Sequence, residues 1–161
     1  MYDAIEFRED IAPAWLISIA REIADFKGRV RNKDRRILVY LDGEIAGFFT
    51  PHLAKDGALR VGPVFVREHA RRRGVLRKIY REYGTGKLCR AFILDHNETS
   101  RAAHERIGFV RKRRGRGGWF YERDQRGVPT DPAGEWASSR PSFTGDDAGA
   151  ERYCVARDSQ K

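Results

Sequence analysis

Cysteine is scarce in this chain. Two occur among 161 residues, Cys89 and Cys154, too few and too far apart in sequence for a disulfide framework, and no Cys-x-x-Cys pair suggests a metal site. Cys89 falls in an apolar run and reads as a buried thiol. The start, Met1 to Glu6, lacks the basic-then-apolar layout of a signal peptide. No apolar stretch approaches the length needed to cross a bilayer, and no internal repeat is visible. These absences lead to the expectation of a soluble protein of a reducing cytoplasm, with no metal. Positive charge is what the chain has in excess, with a formal net charge of +9.

The excess is unevenly spread. Residues 1–125 hold 27 basic against 17 acidic side chains, whereas the segment from 126 onward has five against six. The first region therefore predicts attraction to a polyanion, whether a nucleotide cofactor, a nucleic acid or an acidic protein surface. The length favours one domain, placed at 1–125. Residues 126–150 are rich in Gly, Pro, Ser and Asp, with Trp136 and Phe143 as isolated aromatics, and they open the segment 126–161. That segment reads as a tail, disordered or docked onto the domain.

Hydrophobic periodicity orders the first region. Ala4 to Arg8 starts a short strand, and Pro13 to Phe26 predicts a helix with Trp15, Ile19, Ile23 and Phe26 on its apolar face. Ile37 to Leu41 and Ile45 to Thr50 flank Asp42-Gly43, a strong hairpin signal. A strand over 58–66, a helix over 75–83 and a strand over 88–94 follow. Thr99 to Ile107 predicts a helix, Gly108 stops it, Phe109-Val110 restarts a strand, and Trp119 to Glu122 forms the last one.

Between the strand at 58–66 and the helix at 75–83 lies Arg71-Arg72-Arg73-Gly74-Val75. A strand, a turn of bare backbone N–H groups and a helix N-terminus together suit an anion. Arginines beside it offer fixed forks of donors to a phosphate-rich ligand. A cofactor bearing a pyrophosphate is the expected ligand.

This order of elements resembles the GNAT superfamily of acyl-CoA N-acyltransferases, and two local motifs carry the resemblance. Arg71-Arg72-Arg73-Gly74-Val75-Leu76 matches the family's Arg/Gln-x-x-Gly-x-Gly/Ala turn, with Leu76 in the slot of the small residue. Asn97-Glu98-Thr99-Ser100, then His104, then Gly108-Phe109 matches Asn-x-x-Ala/Ser, Tyr, Gly-Phe, with His104 in the tyrosine's place. The resemblance covers about residues 4–123. It implies an α/β fold with a mixed, mostly antiparallel twisted sheet flanked by helices.

The resemblance also implies acetyl-CoA as co-substrate and direct transfer of its acetyl group to an amine. Backbone amides of Val66, Gly74, Val75 and Leu76 would hold the coenzyme A pyrophosphate, with Arg71, Arg72 and Arg73 adding charge. Asn97 and Ser100 would lie near the pantetheine arm, and His104 would protonate the departing thiolate. The position where several members carry a basic glutamate is Arg60, which cannot act as a base. Glu68, Asp95, His96 and His52 remain as candidates, and so does a water relay.

The runs Arg29–Arg36 and Arg111–Arg116 read as a polyanion surface. The second leads to Trp119-Phe120-Tyr121, and basic residues followed by aromatics suit a phosphate backbone and stacked bases. The amine acceptor could thus be borne on DNA, RNA, tRNA or a nucleic-acid-associated protein. The superfamily includes Mom-type phage proteins that modify adenine in DNA and toxins that acetylate aminoacyl-tRNA. A ribosomal protein or a polyamine is the plainer acceptor. The rival from another class is a non-catalytic nucleic-acid-binding module on the same scaffold.

Overall fold

The computed structural model describes residues 4–23 and 36–127. Its elements are β1 (Ile5–Glu9), α1 (Ala14–Glu22), β2 (Ile37–Leu41), β3 (Glu44–Leu53), β4 (Leu59–Val66), a 3-10 turn (Glu68–Ala70), α2 (Val75–Gly84), β5 (Leu88–Leu94), α3 (Glu98–Arg106), β6 (Val110–Gly115) and β7 (Gly118–Asp124). The strands form one sheet in the order β1-β2-β3-β4-β5-β7-β6. Every neighbouring pair is antiparallel except β4 and β5. The expected architecture, a mostly antiparallel sheet flanked by helices, is the one observed.

The sheet separates two apolar layers. Beneath α2 and α3 lie Val39, Leu41, Phe49, Val61, Ala91 and Ile93, packed with Ile79, Tyr80 and Tyr83. Beneath α1 lie Leu38, Phe48 and Phe65. Alternate residues of β2 enter opposite layers, which explains why Ile37 to Leu41 is continuously apolar rather than alternating. The Asp42-Gly43 turn has positive φ at both residues, the geometry that an Asp-Gly hairpin supplies.

The apolar row of α1 differs from the expectation. Leu16 and Ala20 are the fully buried residues, whereas Trp15 is 46% and Ile19 40% exposed. Two rows four residues apart compete on this helix. The row with the smaller Ala20 lets the backbone approach Leu38, Phe48 and Phe65, and burial of a leucine-sized side chain contributes about 2 kcal/mol. Trp15 instead lies beside Arg67, whose Cζ is 5.4 Å from the ring centroid. Ile23 is half-buried against the same layer, and Phe26 lies outside the described residues.

The strand that restarts at Phe109-Val110 runs on through the basic residues 111–114. Val110–Gly115 is a full strand at the sheet edge. Its exposed, charged residues carry no apolar alternation, so its start was legible in the sequence but its length shows only in the pairing with β7. Gln125 is buried and donates from Nε2 to the Tyr80 carbonyl at 3.1 Å. Cys89 is fully buried, as expected, and burial pushes its thiol pKa up. Cys154, most of Arg29–Arg36 and residues 128–161, including Trp136 and Phe143, lie outside the described residues.

Candidate active site

The parallel pair β4–β5 is joined at one end only. Leu59 pairs with Cys89 and Arg60 with Arg90, and beyond these the strands separate. The cause sits in β4. Between Val61 and Val64 it carries Gly62 and Pro63 against the single Thr50 of β3, an extra residue that bends a strand away from its neighbour. Proline is tolerated there because it has no N–H to give a ladder. A wedge opens between the C-terminal ends of two parallel strands, where ligands of α/β sheets commonly bind.

The hydrogen-bond register shows what faces the wedge. The Arg67 N–H donates to the Ala46 carbonyl at 2.8 Å, so the Gly47–Val66 pair is a non-hydrogen-bonded one. Successive antiparallel pairs alternate, which turns the N–H and C=O groups of Val66 and Val64 away from β3 and toward the wedge. Consistent with this, the Val66 carbonyl accepts from Arg71 Nε at 3.1 Å. Val66 was among the residues singled out in the sequence. Val64 was not, although Gly62-Pro63 inside a strand-like run was a usable signal for the bulge.

The loop after β4 brings Arg71, Arg72, Arg73 and Gly74 together at the surface. Arg72 and Gly74 have φ of +63° and +83°, and glycine takes that conformation without a Cβ penalty. Gly74 caps α2 with no side-chain hydrogen bond. The first bond to its carbonyl comes from Lys78 at 3.0 Å, so the N–H groups of Val75 and Leu76 precede the helical ladder. Leu76 is half-buried and packs against the core beneath α2. Its branched side chain therefore leans inward rather than over the loop. Backbone donors, a helix dipole and three arginines fit a pyrophosphate.

The other strand of the wedge leads into α3. Asn97 caps that helix, its Oδ1 accepting from the Ser100 N–H at 3.0 Å. Two turns into the helix, His104 is 6% exposed. Its Nδ1 lies 2.7 Å from the Ser100 carbonyl and must donate there. Nε2 then carries the lone pair, 3.4 Å from the Tyr80 hydroxyl. Burial lowers the pKa of His104 and raises that of Tyr80, so both are neutral near pH 7. Nothing in the spacing of Tyr80 marks its hydroxyl as the partner of His104.

The candidate bases are scattered. Asp95 sits at the end of β5, where both its oxygens accept from Arg114, at 2.6 and 2.8 Å. His96 follows it and is exposed. Glu68 belongs to the 3-10 turn before the arginines, and its carbonyl accepts from the Arg71 N–H at 3.1 Å. His52 and Arg60 face each other across β3 and β4 at the joined end of the wedge. Asn97, Ser100, His104 and Tyr80 form one connected group, whereas Glu68 and Asp95 belong to separate loops. Among the described residues no cluster of three or more His, Cys, Asp or Glu side chains could hold a metal ion.

Comparison with known proteins supplies the context. A model of the acetyltransferase (GNAT) family matches residues 3–109. A search of curated proteins found no match. The chain is similar to a solved acetyltransferase of the GNAT family from Staphylococcus aureus, with a TM-score of 0.55 at 14% identity over 76% of this chain and 99% of that one. The Campylobacter jejuni N-acetyltransferase PseH gives 0.55 at 13% identity over 75% and 98%. Arabidopsis thaliana NAA60, solved with a bisubstrate analogue, gives 0.52 at 20% identity over 74% and 97%. At these identities the structures share the fold.

Proposed function

Because the chain belongs to the acetyltransferase (GNAT) family, we propose that it moves an acetyl group from acetyl-CoA directly to an amine. The observation that carries this reading is the wedge, with the N–H groups of Val64 and Val66 turned into it and an arginine loop at its end. The Arg71 to Arg73 guanidinium groups and the N–H groups of Gly74, Val75 and Leu76 hold the pyrophosphate. Asn97 and Ser100 flank the pantetheine arm from the start of α3. A β4 N–H, from Val64 or Val66, donates to the thioester oxygen as negative charge develops there.

The amine nitrogen then bonds to the carbonyl carbon, the carbon–sulfur bond breaks, and the thiolate takes a proton. His104 is the side chain the resemblance places at this step. A neutral imidazole whose Nδ1 proton is engaged by the Ser100 carbonyl has no second proton to give, so the proton reaches the sulfur from water. The proton of the amine leaves through water or through His96 at the end of β5. Asp95 is held by Arg114, and Glu68 would place a carboxylate beside the pyrophosphate. Both are weaker choices.

Calorimetric titration with acetyl-CoA, and with free coenzyme A beside it, tests the reading. Saturable binding is expected. Arg71→Ala should weaken it about tenfold or more, since hydrogen bonds to charged groups contribute about 1.5–3 kcal/mol. Absence of binding at high micromolar coenzyme would favour a non-catalytic nucleic-acid-binding module. The internally satisfied His104 is the observation on that side.

A further inference from the structure

The basic strand β6 has no part in the wedge chemistry, yet its cations are arranged rather than merely exposed. It is an edge strand, and Val110 to Arg114 are all exposed. Arg111 Cζ lies 4.6 Å from the Trp119 ring centroid, Arg114 Cζ 5.2 Å from the same ring, and Arg113 Cζ 4.3 Å from the Phe120 ring. A register shift at Lys112 puts Arg111 opposite Tyr121 and Arg113 opposite Phe120. The shift keeps both arginines over rings although they lie on opposite faces of the strand.

Edge strands often carry lysine to prevent pairing with other chains. One or two charges do that. Four consecutive cations do more: Arg114 gives both terminal nitrogens to Asp95, and Arg111, Lys112 and Arg113 are left to meet an outside anion. A guanidinium lying on a ring has already lost much of its rotamer freedom, while the N–H edges directed away from the ring stay available. The aromatics are consequently covered by arginines and do not serve as open platforms for bases. The strand thus offers preorganised donors on both of its faces, Arg111 on one and Arg113 on the other.

We propose that β6 is a docking strand for the sugar–phosphate backbone of a nucleic acid. Consecutive cations presented on both faces of an exposed edge strand suit a flexible polyanion with roughly one charge per 1.7 Å of duplex axis, whereas carboxylates on a folded protein are scattered. The strand is also tied to the wedge. Arg114 grips Asp95 at the end of β5, and the Asp95 N–H donates to the Gly117 carbonyl at 3.0 Å. A strand of nucleic acid held on β6 therefore passes beside the wedge mouth. That the bound polymer carries the acceptor amine rests on the acetyl-transfer reading; the docking itself does not.

Fluorescence anisotropy of the full chain with a short labelled DNA, single-stranded and duplex, between about 50 and 200 mM salt tests this. Binding that weakens steeply with salt is expected. The variant R111Q/K112Q/R113Q should lose at least tenfold in affinity and about 2–3 from the log–log salt slope, at roughly 0.7–0.9 per phosphate contact. Arg114 is left in place because it holds Asp95. A thermal midpoint within a few degrees of the parent confirms folding, and K112Q alone, which disturbs no ring, should lower the slope by about one contact. Three outcomes overturn the proposal: no binding at low salt, unchanged binding by the folded triple variant, or equally tight binding of poly-glutamate. Coenzyme titration of the same variant should be unaffected, so failure here and failure of acetyl transfer are read separately.

Discussion

Two strand–turn–helix units stand side by side in this fold, and their turns differ. The β4–α2 turn ends at Gly74, which caps without a side chain and is preceded by three exposed arginines. The β5–α3 turn ends at Asn97, whose own oxygen takes the Ser100 N–H. A helix start satisfied by its own side chain has fewer donors to give. One left open beside cations is ready for an anion. The same local architecture thus yields an anion seat on one side of the wedge and a rigid wall on the other.

That contrast can be broken by exchanging what each turn provides. The largest effect is expected at Gly74. Gly74→Ala forces a left-handed residue with a Cβ, costing about 1–2 kcal/mol, and misaligns the N–H groups behind it. Coenzyme affinity measured by calorimetry should fall roughly 5- to 30-fold. At Asn97 the loss should be one of stability. Asn97→Ala removes a cap, worth about 1 kcal/mol in denaturant unfolding, while coenzyme affinity changes by less than about threefold. An Asn97→Ala protein as poor in coenzyme binding as Gly74→Ala would erase the distinction between the turns.

The smallest effect near neutrality concerns His104. Burial lowers its pKa from the ordinary 6.5, so below that pH the unfolded chain takes up a proton that the folded chain does not. Stability then falls as pH drops through the unfolded value and levels off below the folded one, at no more than about 1.4 kcal/mol per pH unit. Above it this group contributes no slope. His104→Gln should remove that component of the unfolding curve between pH 6.5 and mildly acid conditions. An unchanged slope would mean that His104 is charged in the folded protein.

Much of the fold was legible because its signals are local. The strand expected over 88–94 is observed with those limits, Leu88–Leu94. Asp42-Gly43 announced its hairpin, and the face of α2 was readable except that Val75 is buried more deeply than Leu76. The arginine turn was likewise visible, as a run of residue types at a strand–helix junction. Less was legible wherever two distant segments had to meet. α1 offered two apolar rows, and only the sheet beneath it selected Leu16 and Ala20. The start of β6 was announced by Phe109-Val110, but its length was not, since Arg111 to Arg114 are exposed and carry no apolar alternation.

The sequence by itself determined the strand and helix order, the basic excess of the first 125 residues and the likeness to an acetyltransferase family. These are encoded by periodicity, turn residues and short motifs, which act over a few positions. Tertiary structure decided that β4 bends at Gly62-Pro63 and parts from β5. It also decided that His104 is buried against Tyr80, that Asp95 is held by Arg114, and that the arginines of β6 lie over the Trp119 and Phe120 rings. Each depends on burial or on the contact of residues far apart in the chain. The physical state of a titratable or charged side chain is set by such surroundings, and not by its neighbours in sequence.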